Sequence, residues 1–174
     1  FAKLSLPADQ MKYFLNKLEV LQYMKNNKIV ILDFGSQTTH LIGRRLAEFG
    51  VEVKILPGET SANLIKKENP QALILSGGPS SVYGKTPLLA DKKIYDLGIP
   101  VLSICYGTQV TAQLLGGKVD KGKKGEYGES KFTILNNSLL FEGLPSNFSV
   151  WMSHFDEVVK LPLGFKHLGS TPTA

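Results

Sequence analysis

Cys105 is the residue whose type and setting could do nucleophilic chemistry. It is the single cysteine among 174 residues. It follows an apolar run that predicts a strand, and the residues from Thr108 to Leu115 predict a helix. A sharp strand-to-helix turn with a nucleophile at its corner is a nucleophile elbow, and the dipole of the helix would favour a thiolate. Free cysteines are also commonly small buried apolar residues, so the local sequence leaves both interpretations open.

A thiolate that attacks a carbonyl group needs donors for the developing oxyanion. The backbone N–H of Tyr106, directly after Cys105, could be one donor. Gly77-Gly78 follows another apolar run and could provide a second, because glycine lets a backbone N–H approach a substrate closely. Taken alone, Gly77-Gly78-Pro79 favours an ordinary turn, and its position beside the elbow is what favours the functional interpretation.

A base is also needed, and in such sites it is usually a histidine oriented by a carboxylate. The chain has three histidines: His40, His154 and His167. His154, in Trp151–Asp156, follows a predicted strand and could contact a substrate, whereas His40 and His167 are expected at the surface. None has a carboxylate at close spacing on its own strand, and their scatter gives no support for a metal site.

The elements that must position these residues alternate between strand and helix. Such alternation predicts an α/β domain with a parallel sheet, whose functional loops gather beyond the carboxyl ends of the strands. The predicted strands are 28–34, 51–56, 72–76 and 101–103, and the predicted helices are 38–49, 61–67, 87–97 and 108–115.

Residues 1–27 precede this alternation and have apolar positions at helical spacing, which predicts an appended amphipathic helix. Residues 28–174, which include the alternation, are predicted to form the main domain. After Gly117 the pattern changes to strands at 129–135, 148–152 and 158–160, which we expect to extend the sheet in an antiparallel or mixed arrangement.

Composition narrows the function classes. A chain that is 43% hydrophobic can form one core, and its single cysteine cannot form an internal disulfide, which favours a reducing, cytoplasmic setting. The net charge is +5. No aromatic cluster or helix that could contact nucleic-acid bases is predicted beside the lysines near Lys121, so nucleic-acid binding is not expected. No apolar run reaches membrane-spanning length.

Five motifs follow one another along the chain: Leu32-Asp33-Phe34-Gly35-Ser36-Gln37, Leu75–Tyr83, Ile104-Cys105-Tyr106-Gly107-Thr108-Gln109, Glu126-Tyr127-Gly128 and Trp151–Asp156. In this order they resemble the class I glutamine amidotransferases, and most closely the glutaminase domain of GMP synthases. The resemblance covers residues 28–174 and implies an open, mostly parallel sheet with flanking helices and a flavodoxin-like core.

The resemblance implies a role for each site residue. Cys105 would attack the carboxamide of L-glutamine, and the γ-glutamyl thioester would be hydrolysed to glutamate. Gly78 and Tyr106 would form the oxyanion hole. Ammonia would pass to a synthetase (ATP pyrophosphatase) domain or subunit that aminates XMP to GMP, and ATP and Mg²⁺ would bind only there. The substrate would be held by Gln109, Ser153, His154 and Asp156, with Tyr83 near the pocket.

The chain departs from the family pattern at three places. Ser103 and Phe155 stand where the family usually has glycine, and Phe155 could narrow the glutamine pocket. The family's catalytic histidine and glutamate are expected beyond Ala174, so this domain would be incomplete. Two alternatives stay open: a non-catalytic glutamine-binding or regulatory module with a docking helix, and another cysteine hydrolase of the same fold.

Overall fold

A computed structural model describes residues 27–172, without the side chains of residues 123 and 124. The predicted helix over residues 1–27 therefore lies outside the described residues, apart from Asn27. In the described part of the chain, no helix is both long and apolar enough to cross a membrane.

The first sheet consists of β1 (Lys28–Asp33), β2 (Glu52–Pro57), β3 (Ala72–Leu75) and β4 (Val101–Ser103). The four strands are parallel and lie in the order β2-β1-β3-β4. The two inner strands hold its buried apolar residues, and Val30, Ile31 and Leu32 of β1 are completely buried. The alternating strand β2 lies at the edge, as its one-sided pattern predicts.

Three α-helices connect or follow these strands, and they confirm three of the four predicted helices. They are α1 (Thr39–Glu48), α2 (Ala62–Glu68) and α3 (Tyr106–Leu114). Gly50, with φ of 77°, follows the end of α1 in the left-handed conformation expected of a helix stop.

The prediction of a fourth helix over residues 87–97 is wrong. Only Lys92–Asp96 is helical, and it is a 3₁₀ turn. The preceding residues are held by tertiary contacts: the carbonyl of Leu88 accepts a hydrogen bond from the Tyr106 hydroxyl, and Asp91 accepts from the backbone N–H of Ala62. These contacts hold the chain outside a helix, which the apolar spacing alone did not indicate.

The antiparallel half was predicted to extend the first sheet, and it does not. It forms a separate sheet in the order β6-β5-β7. The two long strands satisfy each other's backbone groups along an antiparallel ladder, so they need no partner in the first sheet. The strands are β5 (Lys118–Ile134), β6 (Asn147–Lys160) and β7 (Gly169–Ser170), and a 3₁₀ turn occupies Leu139–Phe141.

The core lies between the parallel sheet and its helices. Phe34, at the end of β1, packs edge-on against Tyr106, at the start of α3, with their ring centroids 5.6 Å apart. Both rings are almost completely buried. Helix α3 also packs against β5 and β6, so it connects the two sheets. The predicted α/β fold with an open parallel sheet and flanking helices is confirmed.

Candidate active site

Cys105 occupies a strained turn between β4 and α3. Its φ of 52° with ψ of −113° is unusual for a residue with a side chain. The backbone N–H of Gly107 donates to the carbonyl oxygens of both Ser76 and Ile104, at 3.0 Å each. A Cβ at Gly107 would lie 2.5 Å from the Leu75 carbonyl oxygen, so only glycine lets α3 begin this close to β3. The elbow predicted from the sequence is present.

The loops after β1, β3 and β4 meet at the carboxyl end of the sheet, as predicted. Gly77 follows β3, and a Cβ there would lie 3.4 Å from Ser36 Oγ and 3.5 Å from Cys105 Cβ. A Cβ on Gly78 would lie 2.4 Å from the Phe34 carbonyl oxygen. The backbone at Gly77-Gly78 therefore packs between the β1 loop and the elbow: a Cβ at Gly77 would make ordinary contacts, whereas Gly78 has no room for one.

The ionisation of Cys105 differs from the prediction that the helix dipole favours a thiolate. Burial raises the pKa of the Cys105 thiol above its ordinary value, the backbone N–H of Tyr106 lowers it, and the nearby Asp156 carboxylate raises it further. The residue as a whole is exposed, yet its sulfur lies against protein, 3.6 Å from the carbonyl oxygen of Ser153. The desolvation of the sulfur exceeds the effect of the N–H donor.

Asp33 organises the loop after β1. Its Oδ1 accepts hydrogen bonds from the Thr39 hydroxyl at 2.7 Å, from the backbone N–H groups of Gly35 and Ser36, and from the Ser76 hydroxyl at 3.4 Å. Burial raises the pKa of Asp33, but these donors outweigh it, and the pKa lies below its ordinary value. Asp33 thus joins the ends of β1 and β3 to the start of α1.

Asp156 joins the second sheet to the loop after β3. Its carboxylate accepts hydrogen bonds from the Ser81 hydroxyl, at 2.7 Å, and from the Tyr83 hydroxyl. The bond to Asp156 raises the pKa of Tyr83. The carbonyl oxygen of Asp156 accepts from Gln109 Nε2 at 3.4 Å. The structure therefore brings Tyr83, Gln109 and Asp156 together, and it adds Ser81, which the sequence reasoning did not assign a role.

The segment Ser153–Asp156, predicted as a loop, is part of the continuous strand β6. His154 lies opposite Glu126 in the β5–β6 register, and its Nε2 is 3.4 Å from Glu126 Oε2. Sequence reasoning missed this carboxylate, because it considered only carboxylates on the same strand. His40 and His167 are both exposed, as predicted.

Two side-chain atoms at this site are buried and lack a hydrogen-bond partner among residues 27–172: Gln109 Oε1 and His154 Nδ1. Both belong to residues predicted to bind substrate. Buried polar atoms are normally paired, so their position is consistent with hydrogen bonds to a bound molecule.

The two departures within the chain have structural explanations. Ser103 Oγ forms a 2.7 Å hydrogen bond with Thr111 Oγ1 of α3, so a small hydroxyl fits at the elbow. The Phe155 ring lies under Lys121 Nζ, which is 5.7 Å from the ring centroid, and beside Gly125. Residues alternate between the faces of a strand, so Phe155 lies on the face opposite His154 and Asp156. The suggestion that Phe155 narrows the glutamine pocket is not supported.

Among residues 27–172, no group of three or more histidine, cysteine, aspartate or glutamate side chains is placed to hold a metal ion.

Known proteins similar to this chain share one family. The family model for class-I glutamine amidotransferases matches residues 30–174. The glutamine-hydrolyzing GMP synthase of Aquifex aeolicus (strain VF5) is 48% identical over 145 residues, which cover 83% of this chain and 28% of the relative. The protein of the same name from Staphylococcus epidermidis is also 48% identical over 145 residues. The chain thus spans little more than a quarter of these curated relatives.

Solved structures agree with this result. A candidate GMP synthase component from Thermoplasma acidophilum matches with a TM-score of 0.70 and 32% identity, over 84% of this chain and 73% of that chain. A glutamine amidotransferase from Thermotoga maritima has a TM-score of 0.63 at 19% identity, over 85% of this chain and 68% of that chain, and supports the fold alone. On the match to residues 30–174 and the identity to these relatives, the chain belongs to the class-I glutamine amidotransferase family.

Proposed function

We propose that this domain hydrolyses L-glutamine to glutamate and ammonia through a thioester at Cys105. The observation that carries the proposal is the elbow itself: a cysteine at φ of 52°, at the carboxyl end of a parallel sheet, packed against Gly77. Strained turns of this kind persist where the surrounding structure maintains them, and they cluster at functional sites.

In the first step, the Cys105 thiolate attacks the side-chain carbonyl carbon of glutamine. The tetrahedral oxyanion accepts hydrogen bonds from the backbone N–H groups of Gly78 and Tyr106. The C–N bond then breaks, and ammonia leaves as its nitrogen receives the proton that the base took from the Cys105 thiol. In the second step, water cleaves the γ-glutamyl thioester, which releases glutamate and restores the thiol.

We assign the amino-acid end of glutamine to the contacts of β6 and α3. The side chains of Gln109, His154 and Asp156 hold this end of the substrate, and Tyr83 fixes the Asp156 carboxylate. The Ser153 side chain lies on the other face of β6, so Ser153 takes part through its backbone, whose carbonyl oxygen contacts Cys105 Sγ. Because Asp156 raises the pKa of the Cys105 thiol, an α-ammonium group bound beside Asp156 would offset that effect. The Cys105 thiolate would thus be favoured only while glutamine is bound.

A proton acceptor for the thiol is still required. Within the described residues, no hydrogen bond joins Cys105 Sγ to a histidine; its contact is with the Ser153 carbonyl oxygen. We propose that the base is the histidine–glutamate pair of the family's His-Pro-Glu segment, a sequence that these 174 residues do not contain.

We further propose that the ammonia serves a synthetase domain or subunit that uses ATP and Mg²⁺ to aminate XMP to GMP. Support comes from the relatives named GMP synthase, of which this chain covers 28%. The domain described here would then supply ammonia and bind no nucleotide or Mg²⁺ itself.

Glutaminase activity tests the proposal directly. We would compare this chain with a chain extended past Ala174 by the segment that follows the matched region in a GMP synthase relative, each with and without Cys105→Ala. General acid–base catalysis contributes roughly 10²–10⁴-fold, so the extended chain should be faster by about that factor, and Cys105→Ala should abolish its activity. Equal activity in the two chains would refute the assignment of the base, and activity that survives Cys105→Ala would refute the nucleophile.

One observation favours a second candidate, a glutamine-binding or regulatory module without catalysis: burial raises the pKa of the Cys105 thiol, so the unliganded site favours the neutral, unreactive form. Such a module would bind glutamine, measured by isothermal calorimetry, with the same affinity in wild type and Cys105→Ala, and the extended chain would release no ammonia.

A further inference from the structure

Glu126 is buried beside His154, and the mechanism above gives it no role. Glu126 belongs to the Glu126-Tyr127-Gly128 motif on β5 and lies opposite His154 of β6 in the strand register. The two side chains are 10% and 14% exposed, and 3.4 Å separates Glu126 Oε2 from His154 Nε2. The Glu126 carboxylate is therefore the group that faces Nε2 of the imidazole.

The Glu126 carboxylate is itself fixed. The Ser130 hydroxyl donates to Oε1 at 2.5 Å, and the Thr171 hydroxyl donates to Oε2 at 2.8 Å. Ser130 lies on β5 and Thr171 directly follows β7, so two strands hold the carboxylate in place. An ionised carboxylate only accepts hydrogen bonds, so the imidazole nitrogen facing it is the one that should carry a proton.

His154 Nδ1 has the opposite environment. It is buried and has no hydrogen-bond partner among the described residues. A neutral imidazole has one donor nitrogen and one acceptor nitrogen, and the group that faces one nitrogen decides the role of the other. With the proton on Nε2, the lone pair of Nδ1 is left without a donor in the described residues and can accept a hydrogen bond.

The position of His154 in the strand places this acceptor at the site. The carbonyl oxygen of the preceding residue, Ser153, contacts Cys105 Sγ, and Asp156 contacts Gln109. His154 and Asp156 are two residues apart on β6 and so share a face of the strand. The other buried atom without a partner in residues 27–172, Gln109 Oε1, is also an acceptor.

We propose that Glu126 is a positioning residue that holds His154 in the Nε2–H tautomer, so that Nδ1 accepts a hydrogen bond from an N–H group of the bound amino-acid substrate. The proposal rests on the proposed function for the identity of that substrate, whereas the tautomer follows from the Glu126–His154 pair alone.

The tautomer can be measured without activity. In ¹⁵N-histidine-labelled protein, long-range ¹H–¹⁵N NMR distinguishes protonated from unprotonated ring nitrogens, and His154→Gln assigns the signal among the three histidines. We expect Nε2–H for His154 in the wild type and an increased Nδ1–H fraction in Glu126→Gln. Glu129→Gln, an exposed substitution on the same strand, is the matched control and should leave the spectrum unchanged. Nδ1–H in the wild type would overturn the proposal, whether or not any variant folds.

The consequence for substrate is measured by saturable alkylation of Cys105 with a diazo-ketone analogue of glutamine. Glu126→Gln should raise the half-saturating concentration about tenfold and leave the limiting rate unchanged. Tenfold is the lower end of the loss seen when the partner that orients a metal-binding histidine is removed, and we expect a similar loss at this amino-acid site. Glu129→Gln should match wild type. An unchanged half-saturating concentration in Glu126→Gln would overturn the proposal while leaving the proposed function intact. Absence of alkylation in the wild type would instead contradict the proposed function, and the NMR result would still decide the tautomer.

Discussion

Cys105 carries the proposed nucleophile on a strained backbone. A residue with a Cβ in a sparsely populated φ/ψ region costs of order 1–3 kcal/mol, and the surrounding structure must maintain it. At Cys105 the hydrogen bonds of Gly107 to Ser76 and Ile104 do so. The strained turn places the sulfur beyond the carboxyl end of β4, so stability is reduced at the position where chemistry is proposed.

Comparing Cys105→Gly with Cys105→Ala isolates that strain. Both lack the sulfur, but only alanine keeps the Cβ that is strained at φ of 52°. The glycine variant should be more stable than the alanine variant by about 1–2 kcal/mol, measured by urea unfolding. If alanine is the more stable of the two, the turn is not strained as described.

Gly78 is expected to position an oxyanion donor. In Gly78→Ala the new Cβ would lie 2.4 Å from the Phe34 carbonyl oxygen, so the backbone must shift. Loss of one oxyanion donor costs roughly 10²–10³-fold, and we expect a glutaminase loss of that size in the extended chain.

The matched control for this prediction is Gly43→Ala in α1. Its Cβ would meet Val53 at an ordinary 3.4 Å, so both activity and thermal stability should be retained. Full activity in a folded Gly78→Ala variant would remove Gly78 from the oxyanion hole.

At the scale of elements, Asp33 joins two strands to a helix, and its pKa gives that role a pH dependence. The pKa of Asp33 is lower in the folded protein than its ordinary value of 3.8, so its contribution to stability is present above that pH and is lost as the pH falls through the folded-state value.

Asp33→Asn should therefore reduce the free energy of unfolding near neutral pH by about 1–3 kcal/mol, because a charged acceptor of several hydrogen bonds is lost. The difference between the variant and wild type should shrink as the pH falls below 3.8. Unfolding curves at a series of pH values measure it, and a difference that stays constant into acid would contradict the assigned role.

Local patterns predicted the elements whose contacts are local. The apolar runs that form β1 and β3 and the glycine stop after α1 are such cases. The 87–97 segment failed because Leu88 and Asp91 are held by residues distant in sequence. The sequence predicts a loop at His154 and gives it no carboxylate partner. Its partner, Glu126, lies on another strand, and residue spacing along one strand does not show which residues of two strands pair.

At the scale of the whole molecule, the candidate site lies where the two sheets meet. Asp156 of β6 accepts from Ser81 and Tyr83 of the loop after β3, and its carbonyl oxygen accepts from Gln109 of α3. The parallel sheet provides the nucleophile, and the antiparallel sheet provides the face opposite it. Their relative position therefore depends on these polar contacts together with the packing of α3 against β5 and β6.

Replacing Asp156 tests this dependence. Asp156→Ala should increase hydrogen exchange in the segment 80–84 and around residues 153–156, because the contacts between the sheets are lost. Asp120→Ala, which removes an exposed carboxylate paired with Lys118, is the control and should leave exchange in both segments unchanged. Unchanged protection in Asp156→Ala, measured by mass spectrometry, would show that other contacts hold the sheets together.

The central claim is that Cys105 is a nucleophile at a glutamine site, and covalent labelling tests it most directly. We would treat this chain, and the chain extended past Ala174, with a diazo-ketone analogue of glutamine and map the modified residue by peptide mass spectrometry. The account predicts saturable modification at Cys105 alone, slowed by L-glutamine but not by L-asparagine, whose side chain is shorter. Absence of modification in both chains, or modification that L-glutamine does not slow, would contradict it.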